Sequence, residues 1–222
     1  MTNAIDKIKN NDNRKYDYSK FPESERVEYD SVINLIEPNS NVVDLGCGNG
    51  TLLKRIISEK KANGKGVEIS PSGVETCKNK GLDVIKSAID AELPFEENQF
   101  DYSICNVTIQ MVTYPEMLLK EMKRISKYQI ISFPNFAFYK NRIDLFFKGR
   151  MPNPLLFGYT WYNTGHIHQL SIRDFYRLLN DVGGIKILRL DYPDVKNSLK
   201  NLLMKKFQNL FVPLPVFLLE KN

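Results

Sequence analysis

The chain has 222 residues, 42% of them hydrophobic, which is enough to fill the core of one globular domain and too much for a disordered chain. Its formal net charge of +5 comes from lysines spread along the sequence rather than a dense block able to track a phosphate backbone, so nucleic acid is not expected as a partner. Three scattered cysteines without CxxC spacing, a polar N-terminus and the lack of a ~20-residue apolar run exclude a zinc centre, a disulfide framework and stable membrane insertion, and a cytoplasmic protein without a metal is expected.

Residues 1–25 read as a polar lead-in to a single domain that extends over 1–222. Val27, Val32, Ile33, Leu35 and Ile36 then fall on a helix ended near Pro38. Val42 and Val43 lie in a first strand, and Leu52, Leu53, Ile56 and Ile57 recur at helical spacing just beyond it. Between them stands a turn carrying Gly46, Gly48 and Gly50. "GKGVEIS" supplies a second strand ending at Glu68 and Ile69, and "PSGVETCKNKG" opens a helix with Pro71 and closes it with Gly81. A third strand in "LDVIKSAI", a fourth over Phe100–Val107, an amphipathic helix carrying Leu118, Met122 and Ile125, and a fifth strand in "YQIISFPN" follow. Strands alternating with helices in this way predict a doubly wound, mostly parallel α/β sheet with right-handed crossovers.

Residues 134–170 are rich in aromatics and lack a steady period, so they read as an insertion serving as a lid or acceptor-binding loop. Ser171 then caps a helix that Gly183 stops, and "IKILRLDY" is a sixth strand. In the tail, Pro213 and Pro215 interrupt a basic amphipathic pattern. "PVFLLE" is therefore expected to return as a buried strand, antiparallel beside the sixth.

The turn after the first strand carries the chemistry. Glycines there let the backbone approach a ligand, and the following helix presents free N–H groups. The pattern G-C-G-N-G brings the third glycine one place too early for a dinucleotide fingerprint. Asp44, directly before the turn, would repel a pyrophosphate but suits an ammonium or sulfonium charge. Glu68, at the end of the second strand, can accept bonds from both ribose hydroxyls. A cation-bearing nucleoside fits these walls, and S-adenosylmethionine meets every requirement, whereas a nicotinamide cofactor does not. Cys47 lies inside the turn and is counted with it among the cofactor-binding residues, its side chain expected to fill space beside the backbone rather than to act as a nucleophile.

Motif resemblance agrees with that reading. "VVDLGCGNG" followed by "GVEIS" resembles the first two motifs of class I S-adenosylmethionine-dependent methyltransferases, and "LPFEENQFDYSICN" resembles their approach to strand four. "SFPNFAFYKNRIDLFFKGRMP" and "YTWYNTGHIHQLSIRDF" are similar to the signature of the methionine biosynthesis protein MetW family. The resemblance implies a seven-stranded Rossmann-like sheet with an antiparallel last strand, S-adenosyl-L-methionine as cofactor and S-adenosyl-L-homocysteine as product. It further implies methyl transfer to a small-molecule acceptor linked to the methionine pathway. The alternative is a binding subunit that regulates a homoserine O-acyltransferase partner without methyl transfer of its own.

The chain departs from these patterns at Ala88, where relatives usually carry an acid near the adenine, and at "WYNTGHIH", where "WYDTPNIH" is usual. Asp90, two residues beyond Ala88, either bonds the adenine amine or caps a turn. Asn106 is expected at the methionine end of the cofactor, with Glu68 and Ile69 at the ribose. Asn135 ends strand five on the same rim and is a weak candidate for an acceptor contact. His166 and His168, the only histidines, are also weak catalytic candidates, and their alternate positions on an extended stretch disfavour a shared metal. Arg142, Lys148 and Arg150 either clamp an acceptor anion or face solvent, while Tyr159, Trp161 and Tyr162 line a pocket or anchor the lid. The sulfonium is already activated, so a missing base is no obstacle to methyl transfer.

Overall fold

Val42, Val43 and Leu45 are fully buried because β1 (Asn41–Leu45) runs through the centre of a seven-stranded sheet, seen in a computed structural model that describes residues 18, 25–152, 161, 164–193 and 198–222. The other strands are β2 (Asn63–Glu68), β3 (Asp83–Lys86), β4 (Phe100–Asn106), β5 (Ser126–Ser132), β6 (Ile185–Asp191) and β7 (Val216–Lys221). They lie in the order β3-β2-β1-β4-β5-β7-β6, with β1 to β5 parallel. β7 runs antiparallel to both of its neighbours, β5 and β6, and so lies beside the sixth strand as expected. Strand order reverses between β1 and β4. At such a switch point the carboxyl ends of neighbouring strands open a crevice.

Helices cover both faces. α1 (Tyr29–Asn34) and α2 (Thr51–Lys60) pack Val32, Ile33, Leu52 and Ile56 against Val42 and Ile104. α3 (Pro71–Asn79) and α4 (Pro115–Ile125) each begin with proline, whose missing N–H costs nothing in the first turn. α4 and α6 (Ile172–Val182) pack on the opposite face, where Phe133, Phe175 and Phe217 meet with ring centroids 4.8–5.8 Å apart. The start of α6 is fixed by a capping box of Ser171 with Asp174, and Gly183 at φ +68 ends it. α7 (Ser198–Lys206) and α8 (Gln208–Phe211) lead into β7. Among the described residues no helix is long and apolar enough to cross a membrane.

The region 134–170 departs from the irregular loop that its sequence suggests, since α5 (Tyr139–Lys148) lies within it. Its apolar residues do not mark the helix because they are not what holds it: Phe146 and Phe147 are 82% and 77% exposed, and Asn141 is the buried residue of the helix. Polar contacts secure the first turn instead, with Asn141 Nδ2 donating to Phe136 O and Arg142 Nε to Ala137 O. Arg142 is thereby committed to backbone, and Lys148 to Asp144 one turn earlier, whereas Arg150 is exposed. Trp161 is exposed as well. Tyr159, Tyr162 and most of the lead-in lie outside the described residues.

Candidate functional site

The glycine turn is built by backbone bonds from β2. Gly46 N and Cys47 N both donate to Val67 O at 2.8 and 3.1 Å, and Gly50 N donates to Cys47 O at 2.9 Å. Gly46 and Gly50 adopt φ values of +78 and +74. A Cβ at Gly46 would stand 2.6 Å from Thr108 Cγ2, and one at Gly50 would stand 2.5 Å from Leu82 Cδ1. Conformation and crowding thus both demand glycine at these positions.

Glu68 closes the arrangement. Its carboxylate is 4% exposed and is held by two backbone donors, Gly48 N to Oε2 at 2.7 Å and Ser70 N to Oε1 at 2.8 Å. Both oxygens of the carboxylate are thereby oriented by main-chain donors on the two elements that flank the turn. Gly73 in α3 permits the close approach, since a Cβ there would lie 2.8 Å from Glu68 Cγ.

A pocket opens at this point, at the carboxyl ends of the strands. Gly46, Glu68 and Ile69 form one wall, Ser87 to Asp90 a second, and Thr108 with Met111 to Thr113 a third. Of the residues named from sequence, Gly46, Glu68, Ile69 and Asp90 line it. Gly48 and Gly50 shape the turn without lining the pocket, and Gly48 supplies the N–H that fixes Glu68. Ala88 contributes apolar wall. Asp90 takes the capping option with one oxygen, as Oδ2 accepts from Thr113 N and Tyr114 N at 2.8 and 3.1 Å.

Several candidates are placed elsewhere. Cys47, expected among the cofactor-binding residues, does not line the pocket: its Sγ lies 3.9 Å from Cys77 Sγ in an apolar cluster with Leu53 and Val84, where it fills space. Asn106 does not line the pocket. It braces the end of β4, donating to Glu28 Oε1 at 3.1 Å and accepting from Ser132 Oγ. Asn135 is fully buried and ties down the tail, donating to Val212 O at 2.8 Å and Asn209 O at 3.1 Å. Neither asparagine is positioned for the ligand contact expected of it. His166 Nδ1 lies 2.7 Å from Thr164 Oγ1, and burial, aided by Arg26, pushes its imidazole down to about 4. His168 is fixed through its backbone N–H, which donates to Gln110 O at 3.0 Å.

Thr108, Met111, Val112 and Gly165 were not anticipated as pocket residues. The available signal was positional: residues 108–113 follow β4, the strand at the switch point, where topology alone puts a ligand wall. Gly165 reaches the site from the far end of the insertion, which no local spacing reveals.

Asp44 is 2% exposed at the end of β1. Burial, and secondarily the negative charge of Glu68, raise it from 3.8 to about 7. The folded ligand-free protein therefore holds a proton that the unfolded chain releases near its ordinary value. Stability is full below that value, falls as pH rises towards about 7 and is flat beyond. Unfolding the wild type and Asp44→Asn across this window should show the slope in the former and its loss in the latter. Parallel curves for the two proteins would refute the assignment.

Comparison with known proteins bears on the same residues. The family model described as methionine biosynthesis protein MetW matches residues 26–219. A bifunctional methionine biosynthesis protein MetXA/MetW of Rhodopirellula baltica is 37% identical over 166 residues, which is 70% of this chain and 27% of that protein. A 2-phytyl-1,4-naphtoquinone methyltransferase of Trichormus variabilis is 31% identical over 100 residues, 41% of this chain and 44% of that one. The chain thus spans 27–53% of the length of the curated relatives it matches. Among solved structures, a SAM-dependent methyltransferase of Thermotoga maritima superposes with a TM-score of 0.60 at 20% identity over 88% of each chain. One from Aquifex aeolicus superposes with a TM-score of 0.60 at 17% identity over 91% of this chain and 96% of that one. Likeness at this level establishes the Rossmann-like methyltransferase fold.

Proposed function

For a chain that belongs to the methionine biosynthesis protein MetW family, we propose S-adenosylmethionine-dependent methyl transfer to a small-molecule acceptor. The observation that carries this reading is Glu68, a buried carboxylate on the pocket wall at the end of β2, oriented by Gly48 N and Ser70 N, where a carboxylate of this topology bonds a ribose diol. When bound, the cofactor supplies a methyl group already activated by its sulfonium.

The chain's own residues have correspondingly little covalent work to do. Glu68 fixes the ribose. The apolar segment Ala88–Ile89 and the Met111–Val112 wall exclude water and hold the base. Asp44 is an acid that a nearby cation would favour in its charged form. Holding donor and acceptor in line accounts for much of the acceleration such a reaction requires. The product left in the pocket is S-adenosyl-L-homocysteine.

Calorimetry of the purified protein with S-adenosylmethionine and S-adenosyl-L-homocysteine tests the reading, with one site and binding of both expected. Heat from neither ligand would sink it.

The link to methionine synthesis belongs to the same proposal. It is supported by the relative whose name joins MetXA and MetW in one polypeptide, although this chain matches only 27% of that protein. Work beside a homoserine O-acyltransferase in the cytoplasm is consistent with that name and with the three buried free thiols.

A further inference from the structure

Tyr18, within the polar lead-in, lines the cofactor pocket beside Gly46, Glu68 and Ile69. Its anchor, Ser72, lies 54 residues further along the chain, so no local spacing in the sequence joins the tyrosine to the site.

The ring lies against bare backbone. A Cβ at Gly48 would stand 3.2 Å from Tyr18 Cε1 and 3.4 Å from both its Cζ and its hydroxyl oxygen, and a Cβ at Gly73 would stand 3.0 Å from Tyr18 Cδ2. Gly73 sits inside α3 without a left-handed φ, a position where glycine is unfavourable against alanine. Crowding accounts for it: the same Cβ would also meet Glu68 Cγ and Gly48 O, each at 2.8 Å. Two glycines of the site thus leave the space that an aromatic ring fills.

One short stretch holds both the ring and the carboxylate. Tyr18 N donates to Ser72 Oγ at 3.1 Å, Ser72 Oγ lies 3.0 Å from Ser70 Oγ, and Ser70 N donates to Glu68 Oε1 at 2.8 Å. The start of α3 therefore fixes Tyr18 and Glu68 relative to each other. A ring in that place offers an apolar surface to the carbon side of a ribose whose hydroxyls face Glu68. It also shields those hydrogen bonds from water, and a bond to a charged acceptor is stronger where water is excluded.

We propose that Tyr18 is a cofactor-binding residue, which packs its ring on the ribose at the Glu68 wall and is placed there by Ser72. The inference rests on the S-adenosylmethionine reading and extends the binding residues of that site into the lead-in.

Calorimetry of S-adenosyl-L-homocysteine binding to the full chain tests the assignment. Tyr18→Ala should weaken binding about tenfold, and Tyr18→Phe, which keeps the ring, should stay within about twofold of wild type. Adenosine, titrated by displacement of S-adenosyl-L-homocysteine, should lose the same factor in Tyr18→Ala, because the contact is made at the ribose. Ser72→Ala should weaken binding about threefold in the wild-type background and no further in Tyr18→Ala. Unchanged affinity in Tyr18→Ala would overturn the proposal, as would an equal loss in Tyr18→Phe or a loss that spares adenosine. A Ser72 effect that persists without the ring would overturn the anchoring, since α3 would then act through Glu68 alone. Wild-type binding is measured first: its failure condemns the S-adenosylmethionine reading, whereas wild-type binding that is indifferent to Tyr18 condemns this residue alone.

Discussion

Glu68→Ala is expected to weaken S-adenosyl-L-homocysteine binding by about two to four orders of magnitude. Two hydrogen bonds from ribose hydroxyls to a charged acceptor are lost, each worth ~1.5–3 kcal/mol. Gly48 N and Ser70 N also lose the acceptor that aligns the turn with the start of α3. Glu68→Gln should fall almost as far, because its amide nitrogen must face one of the same two backbone donors. Either variant also removes the charge that helps raise Asp44, so the pH-dependent loss of stability should end at a lower pH. Calorimetry and pH-dependent unfolding of the same preparations report both effects. Wild-type affinity in Glu68→Ala would mean that the ligand does not use this wall.

Gly50→Ala should be the most damaging single methyl group in the turn. The residue is left-handed, at φ +74, and the new Cβ would stand 2.5 Å from Leu82 Cδ1 and 2.8 Å from Cys77 Sγ. Left-handed strain contributes ~1–2 kcal/mol and overpacking ~1–3 kcal/mol, for a total of ~2–5 kcal/mol. At about 2–4 °C per kcal/mol for a domain of this size, Tm should drop by about 4–20 °C. Gly81→Ala is the internal control: it has the same φ of +74, yet nothing lies within 4 Å of its Cβ, so only the strain remains. Equal losses in the two variants would show that crowding at residue 50 is relieved.

The parts of the site that the sequence reveals are those whose chemistry is set by near neighbours. The spacing of Gly46, Gly48 and Gly50 between a strand and a helix, flanked by Asp44 and Glu68, leaves few conformations open to the turn. Asn106 and Asn135 could not be read in the same way, because an asparagine on a rim serves a ligand or a backbone equally well. The partners that decide the matter, Glu28 and Val212, lie 78 and 77 residues away. The strands were legible through burial and through proline and glycine punctuation, including β7, whose approach is broken by Pro213 and Pro215. α5 escaped because hydrophobic periodicity finds helices that bury an apolar face, and this one buries an asparagine while exposing its phenylalanines.

The placement of β7 has a consequence for how the protein is made. Residues 216–221 occupy the gap between β5 and β6, and among the described residues β6 pairs with no other strand. While a ribosome is still translating the segment after β6, the emerging chain already contains six of the seven strands, yet β5 presents a bare edge and β6 has nothing to join. Unpaired edges of this kind recruit other chains. The interval before the last strand clears the exit tunnel is therefore when the nascent protein most needs a chaperone, and a message truncated just short of codon 216 would yield an aggregating product rather than a smaller version of the domain.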